Sequence, residues 1–321
     1  MLTTLVKLLI NLIPDKKLRK SLRGKYILDA SLPVNYGTKH IYKGDDAESI
    51  ISEYLKKDAP CLICRYGGTE MRVVNRFLKN IDKQHKFSPK IRNMISDLSG
   101  FYPANEYNLS RFSCEFLSLL KDTDVVGVWN TKGEKFVCEN YLGAETKLVA
   151  LDAISAVNSQ NPWSKHLKGK KVLVIHPFED SIKEQYKKHE LLFENKDTLP
   201  DFELITMKPV QSLADNKDNL PYKTWFDALD AMNKKIDSID FDIAVIGAGA
   251  YGIFLAHHCK KIGKKAVHMG GATQILFGIT GKRWETEYKS SVGKLINEHW
   301  IRPKASERPK GAEKVEGGCY W

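Results

Sequence analysis

The 321-residue chain contains no apolar run long enough to cross a bilayer, which takes about 20 consecutive apolar residues. Its best candidate, residues 2–13, is broken by Lys7 and Asn11 and stopped by Pro14. The same segment lacks a basic leading stretch and a small-residue cleavage site, so it reads poorly as an export signal. Cysteine is sparse, at six residues. Cys61 and Cys64 form one C-x-x-C inside an apolar run, with no second pair and no paired histidines to complete a zinc set. Buried free thiols in a reducing cytoplasm are the reading. The absence of any internal repeat or low-complexity linker argues against a repeat array.

What is present, first, is unevenly placed positive charge. Lys and Arg number 50 against 39 acidic residues, a formal net charge of +11. Residues 1–26 carry Lys7, Lys16, Lys17, Arg19, Lys20, Arg23 and Lys25 against Asp15 alone. An apolar stretch followed by a basic cluster suits a segment that lies on an anionic membrane surface. The expectation is a peripheral protein on the inner face of the cell membrane. The alternative is a helix docked on its own fold or on a second subunit of a homo-oligomer. Nucleic acid is not an expected partner, because the basic residues are not interleaved with aromatics or set in a known module.

With 42% apolar residues the chain can bury a sizeable core. Strand-like runs occur at residues 60–65, 124–129, 171–176, 202–207, 242–246 and 265–269. Helical patterns occupy 45–57, 69–79, 105–121, 179–194, 223–235 and 250–261. This alternation implies an α/β fold, a Rossmann-like, mostly parallel sheet with helices on both faces. Residues 27–301 are expected to form that domain, between the 1–26 segment and an irregular tail at 302–321. The tail ends in Gly317-Gly-Cys-Tyr-Trp321, aromatics that imply it packs back on something.

The strongest local signal is Gly247-Ala-Gly-Ala-Tyr-Gly252. It fits G-x-G-x-x-G after a strand and at the start of a helix. Such a turn lets backbone N–H groups and the helix dipole face a phosphate. A dinucleotide site would want an acid about 20 residues on, for the ribose hydroxyls. That stretch is Val267-His-Met-Gly-Gly271, without one. A diphosphate ligand is the first expectation, and a tight turn whose glycines only permit close packing is the alternative.

Ligands in open α/β sheets sit beyond the carboxyl ends of the strands. Four polar groups fall there: Arg65-Tyr-Gly-Gly-Thr-Glu70, His176-Pro-Phe-Glu-Asp180, the Gly247–Gly252 turn and Gly270-Gly-Ala-Thr-Gln274. Taken singly, each also fits ordinary turn chemistry, with Glu179 and Asp180 at a helix N-terminus and Thr69 as an N-cap. Taken jointly they point to a site.

Arg65-Tyr66-Gly67-x-x-Glu70 resembles the Arg-aromatic-Gly-Asp-Gly-Glu signature of the GT-D-type bacterial glycosyltransferases. The Gly247–Gly252 turn and the stretch from Gly270 to Trp284 are similar to the C-terminal part of those enzymes and of relatives in capsule and O-antigen clusters. The resemblance spans roughly residues 45–284. It implies a GT-D-like fold, a nucleotide-sugar donor with UDP as the first expectation, and a glycan or lipid-linked acceptor in surface polysaccharide synthesis. Donor binding would fall to Arg65, Gly67, Gly247, Gly249, Tyr251, Gly252, Gly270, Gly271, Gln274, Lys282 and Arg283. The family's Asp-x-Glu pair holds a divalent metal against the diphosphate. Glu70 matches the second carboxylate, but Gly68 stands at the first. A Mn²⁺ or Mg²⁺ site at Glu70 and a metal-independent site with Lys and Arg carrying the charge are both open.

If transfer inverts the anomeric carbon, a base must reach the acceptor hydroxyl. Glu70, Glu106, His176, Glu179 and Asp180 are the candidates, with Glu179 and Asp180 favoured by position. A rival class is a Rossmann-like nucleotide-binding protein such as an NAD-dependent sugar oxidoreductase. The missing ribose acid and the lack of a Tyr-x-x-x-Lys pair weigh against it.

Overall fold

The computed structural model describes residues 12–14, 32–79, 86–213 and 220–321. The proposed membrane segment at 1–26 lies, apart from residues 12–14, outside them. Among the described residues no helix is long and apolar enough to cross a membrane. The strands are β1 (Asn35–Tyr36), β2 (Lys39–Tyr42), β3 (Cys61–Arg65), β4 (Val125–Val128), β5 (Lys147–Ala150), β6 (Lys171–Ile175), β7 (Glu203–Met207), β8 (Ile243–Ile246) and β9 (Lys265–His268). They form one nine-stranded sheet in the order β1-β2-β5-β4-β3-β9-β8-β6-β7. Every neighbouring pair is parallel except β1 with β2. The fold is thus the expected Rossmann-like α/β architecture.

The helices are α1 (Gly44–Lys56), α2 (Gly68–Leu78), α3 (Pro89–Ser99), α4 (Glu106–Leu119), α5 (Glu134–Tyr141), α6 (Glu179–Tyr186), α7 (Trp225–Asp237), α8 (Gly252–Lys261), α9 (Thr273–Leu276) and α10 (Lys282–Thr286). Strands buried on both faces read as continuous apolar runs, and alternate residues feed opposite cores. Leu62, Cys64, Leu173 and Ile175 pack with α2, α4, α7 and α8. Cys61, Ile63, Val172 and Val174 pack with α1, α6 and the C-terminal segment. The first core centres on Phe112, whose ring lies 5.2 Å from Phe101, 5.6 Å from Trp225 and 5.3 Å from Phe254. Emptying that position would cost about 3–5 kcal/mol. α7 begins where it does because Thr224 and Asp227 form a reciprocal capping box.

Topology places the site. From β3 the chain moves outward through β4 and β5. It then crosses to β6 and β7 at the far edge and returns inward through β8 and β9. The two halves of the sheet meet where β3 lies beside β9, the kind of switch point at which α/β folds open a crevice.

β1, β2, β5, α3 and α5 escape a sequence reading. The strands among them are two to four residues long, and Lys39-His-Ile-Tyr42 has no apolar run. The helix expected at 179–194 ends at Tyr186, and that expected at 250–261 opens with a 3₁₀ turn, Gly249–Tyr251. The tail does pack back: Trp321 is buried, with its ring 5.9 Å from Phe178.

Candidate functional site

Gly247 is the junction of three strand ends. A Cβ there would stand 2.6 Å from the Gly270 carbonyl oxygen, 2.7 Å from His176 Cδ2 and 2.7 Å from Thr273 Oγ1. At Gly252 a Cβ would stand 2.3 Å from His268 Nε2. Packing alone therefore requires both glycines, as the close-packing alternative holds. Gly249 has φ +53° and faces the Ser99 carbonyl oxygen, 3.2 Å from the Cβ position.

The charge at this junction comes from Arg65, the last residue of β3. Its guanidinium carbon lies 5.6 Å from the centre of the Trp129 ring. Nη1 reaches to 3.2 Å from the Cβ position of Gly270, whose φ is +61°. A side chain at residue 270 would be strained and would crowd the arginine. Arg65 pairs with no carboxylate among the described residues, and its Nε is buried without a hydrogen-bond partner. The residue as a whole is half-buried, so its guanidinium meets the Trp129 ring on one side and stays open to water or a ligand on another.

Two buried imidazoles stand at the same strand ends, His268 beside Arg65 and His176 beside Gly247. Burial, and secondly the charge of Arg65, push His268 down to about 3, and burial does the same to His176. Both rings are neutral at physiological pH. His176 Nδ1 accepts the Phe178 N–H at 3.0 Å, and His268 Nδ1 has no partner. His176 is thus held as a neutral ring that caps the Phe178 N–H.

The turn after β3 explains its own sequence. Gly67 precedes α2, and the carboxylate of Glu70 in the first turn folds back over it. A Cβ at residue 67 would stand 1.7 Å from Glu70 Oε2. Gly68 faces the Trp129 indole, with Cη2 3.2 Å from its Cβ position. Trp129 Nε1 donates to the Tyr66 carbonyl at 3.2 Å, which fixes the ring plane. Glu70 is buried and has no hydrogen bond or ion pair among the described residues.

The other expected residues lie apart or are already engaged. Glu179 accepts from Lys183 at 2.8 Å and from Thr206 of β7 at 2.7 Å. Burial raises its pKa, but those two donors outweigh it and hold the carboxyl below its usual value. Asp180 is exposed, and its backbone N–H goes to Glu307 at 2.8 Å. Glu106 bonds Arg92 and the Phe87 N–H. Tyr251 is buried and stacks on Trp225 at 4.7 Å. Gln274 donates to the carbonyls of Ile279 and Thr280 and shapes the loop. Arg283 donates to Tyr320 Oη at 2.8 Å and pairs with Glu316, and Lys282 reaches the Gly317 carbonyl. Tyr320 in turn covers Gly271, whose Cβ would lie 2.5 Å from its ring. The basic pair thus clasps the C-terminal tail.

Among the described residues no three of His, Cys, Asp and Glu come together as a metal site. The position of the missing first carboxylate is walled by Trp129, and Glu70 is a lone carboxyl. Among the described residues, a single carboxylate is a smaller donor set than the Asp-x-Glu ion site that the resemblance implies.

Sequence reasoning missed Trp129, Thr273, His268, Glu134, Glu307 and Tyr320 as neighbours of these loops. Trp129 and His268 each close a strand, so their position was a signal. Glu134 looks in sequence like any first-turn helix residue.

No family model matches the chain, and no curated protein does. A solved structure described as a selenomethionine-substituted domain of unknown function 1792 has a TM-score of 0.42 to this chain at 9% identity, over 83% of this chain and 92% of that one. A likeness of that degree carries no inference about activity.

Proposed function

We propose that the chain is a glycosyltransferase that uses a nucleotide-sugar donor, with UDP as the nucleotide, and transfers the sugar to a glycan or lipid-linked acceptor at the inner membrane face. The observation that carries the reading is Arg65, a half-buried cation at the β3–β9 switch point that pairs with no carboxylate among the described residues. In the transfer, the bond from the anomeric carbon to the β-phosphate oxygen breaks and its electron pair leaves with the nucleotide. The acceptor oxygen bonds that carbon, and its proton passes to a base. Arg65 neutralises the charge that develops on the leaving diphosphate, together with backbone N–H groups of the surrounding loops. Glu70, buried one turn away and without a partner among the described residues, is the carboxylate proposed to orient the sugar or take the proton. No step is assigned to a metal. The resemblance of the Arg65–Glu70 segment to the GT-D signature supports the same assignment.

Thermal unfolding with UDP, GDP, CMP and NAD tests the reading, because a ligand that binds only the native state raises the midpoint. A shift with UDP supports it. A shift with NAD and none with UDP favours the oxidoreductase class.

A further inference from the structure

Glu134 is a fully buried carboxylate with no place in the chemistry above. It opens α5, yet its side chain turns back to the loop that ends β4. Oε2 accepts the Trp129 N–H at 3.0 Å, the Asn130 N–H at 2.7 Å and the Tyr36 hydroxyl at 3.0 Å. These bonds fix the backbone at Trp129 and, beside it, Asn130 in the left-handed region at φ +58°. They also tie the loop to β1, across the sheet edge. Trp129 is then fixed at both ends, by Glu134 at its backbone and by the Tyr66 carbonyl at its indole N–H. The ring so held is half-buried and lies between Arg65 and Gly68, beside the turn that carries Glu70.

We infer that Trp129 forms the aromatic wall of the donor-sugar subsite and that Glu134 is the positioning residue that holds it there. The inference rests on the proposed function, since it places the hexose next to the diphosphate at Arg65. A half-buried indole whose N–H is committed to Tyr66 offers its flat apolar surface to the C–H face of a pyranose. Gly68 packs against that ring, with Cη2 3.2 Å from its Cβ position, so the glycine lets the indole sit over the first turn of α2.

Burial raises the Glu134 carboxyl to about 7 against the lowering effect of its donors, first the Trp129 N–H. Oε1 is buried without a partner. Replacement by glutamine keeps a carbonyl oxygen that can accept the same N–H groups, without the charge. Replacement by alanine releases the loop.

The test uses full-length protein labelled with 5-fluorotryptophan, the Trp129 fluorine resonance being assigned with Trp129→Phe. UDP and a panel of UDP-glucose, UDP-galactose and UDP-N-acetylglucosamine are titrated in. The expected result is a Trp129 shift with at least one UDP-sugar that exceeds the shift with UDP. Glu134→Ala should move or broaden the Trp129 resonance and lower kcat/KM for donor hydrolysis by roughly tenfold or more. Glu134→Gln should restore both. UDP-sugar binding with the Trp129 resonance unmoved overturns this inference and leaves the functional reading standing. No effect of UDP or any UDP-sugar on any tryptophan overturns both. Wild-type resonance and kinetics in a folded Glu134→Ala protein overturn the positioning role.

Discussion

The carboxylate of Glu70 occupies the space that a side chain on Gly67 would need, with Oε2 1.7 Å from the Cβ position. The glycine and the acid of the Arg65–Glu70 segment are therefore one device. Gly67 has φ −75° and ψ 139°, a conformation any residue adopts. Gly67→Ala should thus fold with little change in stability, because a flexible side chain end can move aside. It should displace Glu70 and reduce turnover by roughly 100-fold, as misplacement of a catalytic group does. Glu70→Gln should lose activity to a similar degree. Steady-state donor hydrolysis with thermal unfolding on the same samples checks this. Full activity in folded Gly67→Ala would remove Glu70 from the proposed mechanism.

Divalent metal should matter less than the GT-D signature implies. Trp129 walls the position of the absent first carboxylate, and Glu70 stands alone. Donor turnover should persist in EDTA. Activity that vanishes in EDTA and returns fully with Mn²⁺ would contradict the account.

The buried carboxyl of Glu134 makes a signed prediction about pH. Its folded pKa, about 7, lies above the unfolded value near 4.5, so the native state binds more protons between those limits. Wild-type stability should fall as pH rises through that window, by up to about 1.4 kcal/mol per unit from this group. His176 and His268 act in the opposite sense. Their folded values, about 3, lie below the usual 6.5, so their contribution is lost as pH falls from 6.5 toward 3. Comparing Glu134→Gln with wild type isolates the first effect. The variant should gain on wild type from pH 4.5 to 7 in chemical denaturation. A constant difference would place the carboxyl in a less buried state.

Most of the sheet was legible in the sequence because β3, β4, β6, β7, β8 and β9 are mainly apolar and their ends carry polar or glycine punctuation. β1, β2 and β5 were not: β1 has two residues, β2 reads Lys-His-Ile-Tyr without an apolar run, and β5 has only Leu148-Val-Ala150. At the site, Arg65, Gly247 and Gly270 could be found as strand-end residues. Contacts between distant segments could not. Lys282 and Arg283 look like a free basic pair until Tyr320 and Glu316 come back to meet Arg283. Glu179 looks poised until Lys183 and Thr206 engage its carboxylate, whereas Asp180 gives Glu307 only its backbone N–H. The glycine turn advertised a phosphate, whereas at Gly247 and Gly252 the missing side chains make room for Gly270, His176, Thr273 and His268.

The basic, apolar segment at 1–26 should bring the chain to anionic membrane. Each Lys or Arg near such a surface contributes about 1 kcal/mol, and salt screens it. Binding in vesicle co-sedimentation should need anionic lipid, weaken in high salt and disappear on deletion of 1–26. Equal pelleting with neutral vesicles would favour a docking helix instead.

Arg65 carries the central claim, so calorimetric titration of UDP into wild type and Arg65→Met tests it most directly. Removing a half-buried cation with no carboxylate partner among the described residues should leave the unfolding midpoint equal or higher, the pattern of a residue kept for function at the expense of stability. The account predicts UDP binding to wild type and at least a tenfold loss in folded Arg65→Met, the loss of a charge-assisted contact of about 1.5–3 kcal/mol. No binding to wild type, or equal binding to both proteins, would contradict it.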